Sequence, residues 1–564
     1  MLLDLVYDLY EYIFSNPLET QALILVSFIT YYLFIYPFFI SSLRNVPGPY
    51  LHRICYFTAL NDQRKMRWIT KVHDLHAKYG NIVILSPNEI SVNGNAKFIT
   101  DIYVKNFPKS KFYENFRNHG FKDNMFASLE NDRHIKYKKI VSNIYSKSAI
   151  FSKTNSTRNN LVKKVGNLVD AIYKSSVDDW FNLANKTKNL GIDVYSLFAS
   201  LALDVVSAFE LGNENGTDLL SKPEQRHIIV SHREVASMVF WTTLMPRFWS
   251  WAAGSRILKA SEDVTKWQLS LYANAENNVP KFGKDENLTT LESFKKAGIT
   301  GEYAYSFLTD NIFAGHETTA IYLTYLCYEL SRPINNSVQL KLQQELIQQF
   351  SNPVKGAVID DLEIVDNLPY LNAIMNEIGR IHAPIPGAEP RMVDKPYSIR
   401  LDNGEYITVP TGTTISVQPY SMHRLENVFP DPYRFIPERW LQYDDESVED
   451  FNQRIMKQQK YMMPFGKGIR MCLGMNIALI EMKLAVANLY WRFGSKLCQD
   501  WCEITEYNNA DSTEDKVKPN VIQLGKQFAG NNETDEEKMV MYDSYTIRPY
   551  NDECWLEWYE NFTQ

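Results

Sequence analysis

The chain has 564 residues, with 59 Lys+Arg against 66 Asp+Glu and a formal net charge of −7. The acidic balance argues against a general nucleic-acid binder, while 45% apolar and 22% charged residues can bury a large core and exclude a disordered chain. Six cysteines with no CxxC pair and no zinc spacing exclude a disulfide scaffold and fit a reducing compartment; the i,i+4 pair Cys498 and Cys502 reads as incidental.

The N-terminus reads as a membrane anchor. Residues Ala22–Ile40 (ALILVSFITYYLFIYPFFI) carry no charge. At 1.5 Å per residue they would span about 28 Å of a hydrocarbon core about 30 Å thick. A cleaved signal peptide fits badly, because the preceding stretch holds Asp4, Asp8, Glu11 and Glu19 and no basic residue. The first basic residue, Arg44, follows the apolar run, so the positive-inside rule places the body in the cytosol and residues 1–21 across the membrane. Met1–Phe14 reads either as a small amphipathic helix or as a loose tail. Residues 41–49, with Pro47-Gly48-Pro49, cannot continue a helix and read as a stiff hinge to a single domain over 50–564.

In the body, Ile82–Leu85 and Glu89–Val92 flank Ser86-Pro87-Asn88 and predict a hairpin. Long helical stretches dominate from Ser146 to Pro390, including an apolar helix from Tyr305 to Ser331. A second β region is expected within Pro396–Val417. A helix apolar nearly all round follows Cys472 and should be buried. The polar stretches Gln442–Lys460 and Glu503–Lys538 read as surface insertions. The fold class is mainly α with a small β region.

Residues 464–474 read Pro-Phe-Gly-Lys-Gly-Ile-Arg-Met-Cys-Leu-Gly, three glycines around Cys472 just before a helix. Glycines permit positive φ and close approach to a flat ligand. Free N–H groups and the dipole at a helix N-terminus stabilise a thiolate, and Arg470 adds positive charge nearby. For an arbitrary cysteine a buried thiol in a glycine turn is the plainer reading. Here the spacing F-x-x-G-x-R-x-C-x-G is complete. The loop resembles the haem-binding loop of the cytochrome P450 family, with a likeness extending from about Asn45 to the C-terminus. It implies one large domain of the cytochrome P450 fold after one transmembrane helix. It also implies haem b held by the loop of Phe465, Gly468, Arg470 and Gly474, with Cys472 as the iron ligand.

The resemblance carries further residues. Glu377 and Arg380 form an ExxR pair, alone a weak signal, and Arg439 in Pro437-Glu438-Arg439-Trp440 is expected to join them in a buried network supporting the haem loop. Ala314-Gly315-His316-Glu317-Thr318-Thr319 resembles the oxygen-activation motif, although a packed polar stripe would read the same. Glycine costs about 1 kcal/mol in a helix interior, and a threonine bonding back to a carbonyl could open a groove there. Glu317 as acid and Thr318 as alcohol would relay protons. His316 is not expected to be a ligand. Arg470 and Arg391 match propionate-binding positions. His134 and Lys138 do so less closely, since Lys138 stands where the family has a bidentate arginine, and His134 could equally be a solvated helix histidine.

The implied activity is a haem-thiolate monooxygenase inserting one oxygen atom from O2 into a lipophilic or aromatic substrate. Without a GxGxxG fingerprint or flavin-like domain in the chain, electrons would come from NADPH through NADPH–cytochrome reductase in the endoplasmic reticulum membrane, with cytochrome b5 as a further donor. The motifs PGPYL, IPG and PFGKGIRMCLG look like the filamentous-fungal class that includes benzoate para-hydroxylases and pisatin demethylases. Candidate pocket walls are His119–Met125, Ile312, Phe313 and Ala383–Ala388. A reductase-independent isomerase or dehydratase and a non-catalytic haem protein are the alternatives; the intact Glu317-Thr318 pair argues against the first.

Overall fold

A helical body with small sheets surrounds one long central helix, Glu302–Ser331. The computed structural model describes residues 15, 17–117, 122–178, 191–278, 288–505 and 533–561. The question of an amphipathic helix over 1–14 lies outside these residues, as do positions 119–121 of the expected pocket wall.

Two described helices are apolar and long enough to cross a bilayer, and burial separates them. Val194–Leu211 is 83% buried in its apolar window and is a core helix, whereas Pro17–Ile40 is 6% buried with a mean hydropathy of 2.1. The described part of the second, Pro17–Ile40, takes in the whole uncharged run. Its last ten residues, Tyr31–Ile40, wind as a π-helix around Pro37. The Pro/Gly segment behind it is docked rather than free. Val46 is fully buried, Ile84 N–H donates to Pro47 O at 2.9 Å, and Arg53 donates to Arg44 O at 3.0 Å.

The strands are β1 (Ile82–Ser86), β2 (Glu89–Val92), β3 (Ile192–Asp193), β4 (Arg391–Met392), β5 (Tyr397–Arg400), β6 (Tyr406–Val409), β7 (Thr414–Val417), β8 (Phe493–Leu497), β9 (Met541–Ser544), β10 (Thr546–Pro549) and β11 (Trp555–Glu560). The expected hairpin is β1–β2, and β2 pairs in parallel with β7, which pairs with β4, in the order β1-β2-β7-β4. A non-local parallel pair is what ties the N-terminal hairpin to the second β region. β9–β10 is a C-terminal hairpin turning at Tyr545, whose φ is +74°.

The central helix starts after Gly301 and ends before Pro333, which cannot extend it. It stays α-helical throughout, so the expected local opening at Thr318 is absent: Thr318 Oγ1 donates to Ala314 O at 2.7 Å without breaking the helix. Gly315 has a packing reason instead. A Cβ there would lie 2.7 Å from Val206 Cγ2 on the helix Val194–Leu211.

The stretch 442–460 lies largely at the surface, and most of it is a helix. Ser447 caps a helix, Val448–Tyr461, and Arg454 donates to Leu441 O at 2.7 Å and to Glu446 at 2.6 Å, bracing the segment after Arg439. In the second polar stretch, 506–532 lies outside the described residues. Its flanks are pinned together by Glu503 N–H to Glu533 O at 2.8 Å and Asp535 N–H to Glu503 O at 2.9 Å.

Gly315→Val should overpack the contact between the two helices and cost about 1–3 kcal/mol, read as a lowered unfolding midpoint. Adding Val206→Ala should recover part of the loss.

Candidate functional site

Cys472 enters the helix Met475–Arg492 from a loop shaped by glycine. Gly468 has φ +72°, and a Cβ on it would fall 2.1 Å from Tyr103 O; Gly466 has φ +69°. Cys472 N–H donates to Phe465 O at 2.9 Å, closing the loop. The thiol presents accessible surface yet sits deep in the molecule, so it faces an interior slot rather than bulk water. Burial pushes its pKa up, while the N–H groups of Gly474 and Met475 and the charge of Lys138 pull the other way. Phe465, Leu473, Ala478 and Leu479, which flank Cys472 in the chain, are half-buried against the helical core.

Glu377, Arg380 and Arg439 meet in one buried cluster that also takes in Trp440 and His423. Glu377 is fully buried and accepts five hydrogen bonds: Arg380 Nε at 2.9 Å and Nη2 at 2.7 Å, Arg439 Nε at 3.0 Å, Ile436 N at 3.0 Å and Trp440 Nε1 at 2.9 Å. Burial would raise its pKa, but Arg380, Arg439 and the Ile436 N–H together hold it below the usual carboxylate range. Arg380 also donates to His423 O at 3.1 Å and Pro432 O at 2.6 Å. His423 passes the restraint on: its Nδ1 bonds Arg380 O at 3.2 Å and its Nε2 accepts from Met463 N at 3.0 Å, at the mouth of the cysteine loop. Trp440 stands beside Arg439 in the sequence motif; nothing in the sequence pointed to His423.

On the other side of the loop lies a cluster of cations. Arg391 is buried, donates to Tyr113 Oη at 3.0 Å and faces Glu389 at 3.4 Å. Arg470 donates to Ser128 O at 2.7 Å, Leu129 O at 2.9 Å and Asn131 Oδ1 at 3.1 Å. Lys138 donates to Ile469 O at 2.9 Å, so it braces the cysteine loop directly. His134 Nδ1 is buried without a hydrogen-bond partner. Burial, then Arg470, Lys138, Lys109 and Arg391, push the His134 pKa down to about 3, and burial followed by Arg391 brings Arg470 to about 10. Lys109, which the sequence did not single out, is buried among the same charges.

Glu317 and Thr318 sit mid-helix, half-buried, one turn after the exposed Ala314. Glu317 Oε1 accepts from Thr546 Oγ1 at 3.2 Å, a partner from the C-terminal hairpin. His316 is buried with its ring 4.9 Å from that of His232 and its Nδ1 unpartnered. Of the expected pocket walls, Ile385, Gly387 and Ala388 line a cavity of about 610 Å³. Ile312 is instead fully buried and Met125 nearly so, while Phe313 packs 4.4 Å from His232.

These residues fit a haem. An accessible soft thiol under two N–H donors suits its iron. An excess of buried cations beside an unpartnered imidazole suits its two carboxylates, because unpaired buried charges are costly.

The sequence model of the cytochrome P450 family matches residues 47–519. The chain belongs to the cytochrome P450 family. It is 28% identical over 526 residues to the cytochrome P450 monooxygenase mfmF of Annulohypoxylon moriforme, covering 88% of this chain and 97% of that protein. It is 26% identical over 505 residues to the cytochrome P450 monooxygenase hkm5 of Aspergillus hancockii, covering 86% and 91%. This P450 is therefore a monooxygenase with fungal relatives, and the family implies a haem cofactor.

Glu377→Ala should leave two guanidiniums uncompensated, cost about 3–5 kcal/mol and yield protein deficient in haem, measured as the pyridine haemochrome per chain. A pH effect follows from the buried histidines. Burial and Arg424 push His423 down to about 3, and burial brings His73 and His76 each to about 4, so the unfolded chain binds protons first as pH falls. Stability should therefore be full above about pH 6.5 and decline below it, by up to about 1.4 kcal/mol per pH unit for each histidine. His423→Gln should flatten that slope in unfolding scans between pH 7.5 and 5.5.

Proposed function

We propose that this P450 is a membrane-anchored haem-thiolate monooxygenase whose body faces the cytosol at the endoplasmic reticulum, with Pro17–Ile40 as the single span. The observation that carries the reading is the accessible thiol of Cys472 in an interior slot, beside a buried cation cluster. Haem, when bound through Cys472, supplies the iron that activates O2 for insertion of one oxygen atom into the substrate.

The chain's own residues do the rest. Gly474 and Met475 donate N–H groups to the sulfur and moderate its charge. Lys138 and the Glu377–Arg380–His423 chain fix the loop that presents it. Arg391, Arg470 and His134 answer the carboxylates of the cofactor. Thr318 spends its proton on Ala314 O, so its oxygen is left to accept a hydrogen bond from water on the open face of the helix. Glu317 stands next to it as the acid–base group of the relay, its carboxyl steadied by Thr546.

The cavity of about 610 Å³ supports a lipophilic or aromatic substrate. Its walls include Tyr56, Leu60, Trp68, Phe112, Phe240 and Tyr545, together with Pro390 and Met392, the chain neighbours of Arg391. Tyr50 stacks on Phe38 at 5.3 Å at the base of the anchor, and Tyr56 and Leu60 of the cavity wall follow closely in the chain, which supports a substrate arriving from the lipid. Electrons would come from NADPH through NADPH–cytochrome reductase, with cytochrome b5 as a further donor.

Cys472→Ser should abolish the red-shifted absorption of the reduced carbon monoxide complex. Glu317→Gln should retain that absorption yet lower product formation about 100-fold, in line with loss of a positioned proton donor. Oxygen uptake that needs NADPH and reductase separates this reading from a reductase-independent isomerase.

A further inference from the structure

The strand β2 opens on an acid. Glu89 pairs with Ser86 of β1 on one side and with Thr414 of β7 on the other, so its backbone is clamped between two strands. Its side chain lines the cavity of about 610 Å³ in company with Leu60, Trp68, Phe112 and Phe240. Burial pushes the Glu89 pKa up to about 7, and the Ser86 hydroxyl is the group that works against this. Among the described residues no cation pairs with Glu89. Lys111 lines the same cavity, but it is exposed and makes no ion pair with that acid. Tyr56, whose pKa is raised by burial and then by Glu89, spends its proton elsewhere, donating to Gln63 Oε1 at 3.3 Å.

The second carboxyl in the wall is differently placed. Asp543 accepts from Ile69 N at 3.1 Å and from the N–H groups of Trp68 and Tyr545, so backbone donors satisfy it and tie the C-terminal hairpin to the helix Trp68–Tyr79. Asp543 therefore holds the wall together, while Glu89 is left with one hydroxyl. A sequestered carboxylate with a single neutral donor is costly to ionise. A cation on the ligand removes that cost, and the aromatic faces of Tyr56, Trp68 and Phe112 in the same wall favour the same charge. Apolar neighbours take the rest of such a molecule. We propose that Glu89 is a specificity-determining residue that pairs with the cationic nitrogen of a lipophilic amine bound in this cavity. The inference rests on the monooxygenase reading above and names a substrate class for that same cavity.

The test uses the full-length chain loaded with haem, and its Glu89→Gln and Glu89→Asp variants, at pH 8, where the Glu89 carboxyl is largely ionised. The probes are decyltrimethylammonium, decan-1-ol and decanoate, which share a chain length and carry a cationic, a neutral and an anionic head; the quaternary nitrogen has no lone pair to give to iron. Binding is read by calorimetry, which does not depend on the haem spectrum. Wild type should bind the ammonium about tenfold or more tighter than the alcohol, the scale of one partly buried ion pair. Glu89→Gln should bring the two to near equality with alcohol binding unchanged, and Glu89→Asp should keep the preference for the ammonium. A preference that survives Glu89→Gln would place the charge elsewhere in the wall and overturn the proposal. Equal weakening of ammonium and alcohol would make Glu89 a packing residue, and tightest binding of decanoate would assign the wall to an anionic substrate; either overturns it as well. A wild-type chain whose reduced carbon monoxide complex lacks the red-shifted absorption would overturn the monooxygenase reading, while the calorimetric preference would still decide whether Glu89 selects a cation.

Discussion

One buried carboxylate holds the working parts of this P450 in register. Glu377 has no access to water and accepts five hydrogen bonds, from Arg380, Arg439, Ile436 and Trp440. Without Glu377 the two guanidiniums would be buried charges with no counter-ion. From Arg380 the restraint runs through His423 to Met463, then through Gly466 N–H on Met463 O, to a loop closed by Cys472 N–H on Phe465 O. Every link is a short polar contact in a low-dielectric interior, where directional bonds gain strength and missing ones are costly. The thiol is therefore presented by a rigid chain rather than by the glycine loop alone.

The second constraint is electrostatic. Around the neutral ring of His134 the protein gathers Arg391 and Lys109, both buried, and Arg470 and Lys138, both half-buried, with Glu389 as the one carboxylate paired to them among the described residues. Mutual repulsion and burial show in the low pKa of His134, about 3. A patch of this kind selects a dianionic partner by charge as much as by shape. Both reach the same loop, Glu377 through Arg380, His423 and Met463, the cations through Arg470 and through Lys138 on Ile469 O.

Much of the fold and site was legible in the chain. Hydrophobic periodicity marked the central helix and the helix after Cys472, and β-branched runs around Ser86-Pro87-Asn88 marked the first hairpin, because these patterns express local rules. The cysteine loop was legible because glycines and a cysteine at fixed spacing have few other uses. The capped helix Val448–Tyr461 was not, since its surface is polar and its stabilising contacts come from Arg454 to distant carbonyls. Gly315 also misled: the sequence suggested a helix opened for oxygen, whereas the close approach of Val206 accounts for the missing side chain.

The sequence by itself determined the family, the apolar N-terminal helix, the glycine-rich cysteine loop and the ExxR pair, because each is a local pattern of residue types. Only the tertiary structure decided what those residues touch. It set Thr546 on Glu317 across 229 positions, His423 between Arg380 and the cysteine loop, and Lys109 against Arg391. Such pairings arise from the packing of strands and helices remote in sequence, and a lysine or histidine alone in a polar segment carries no spacing that announces them.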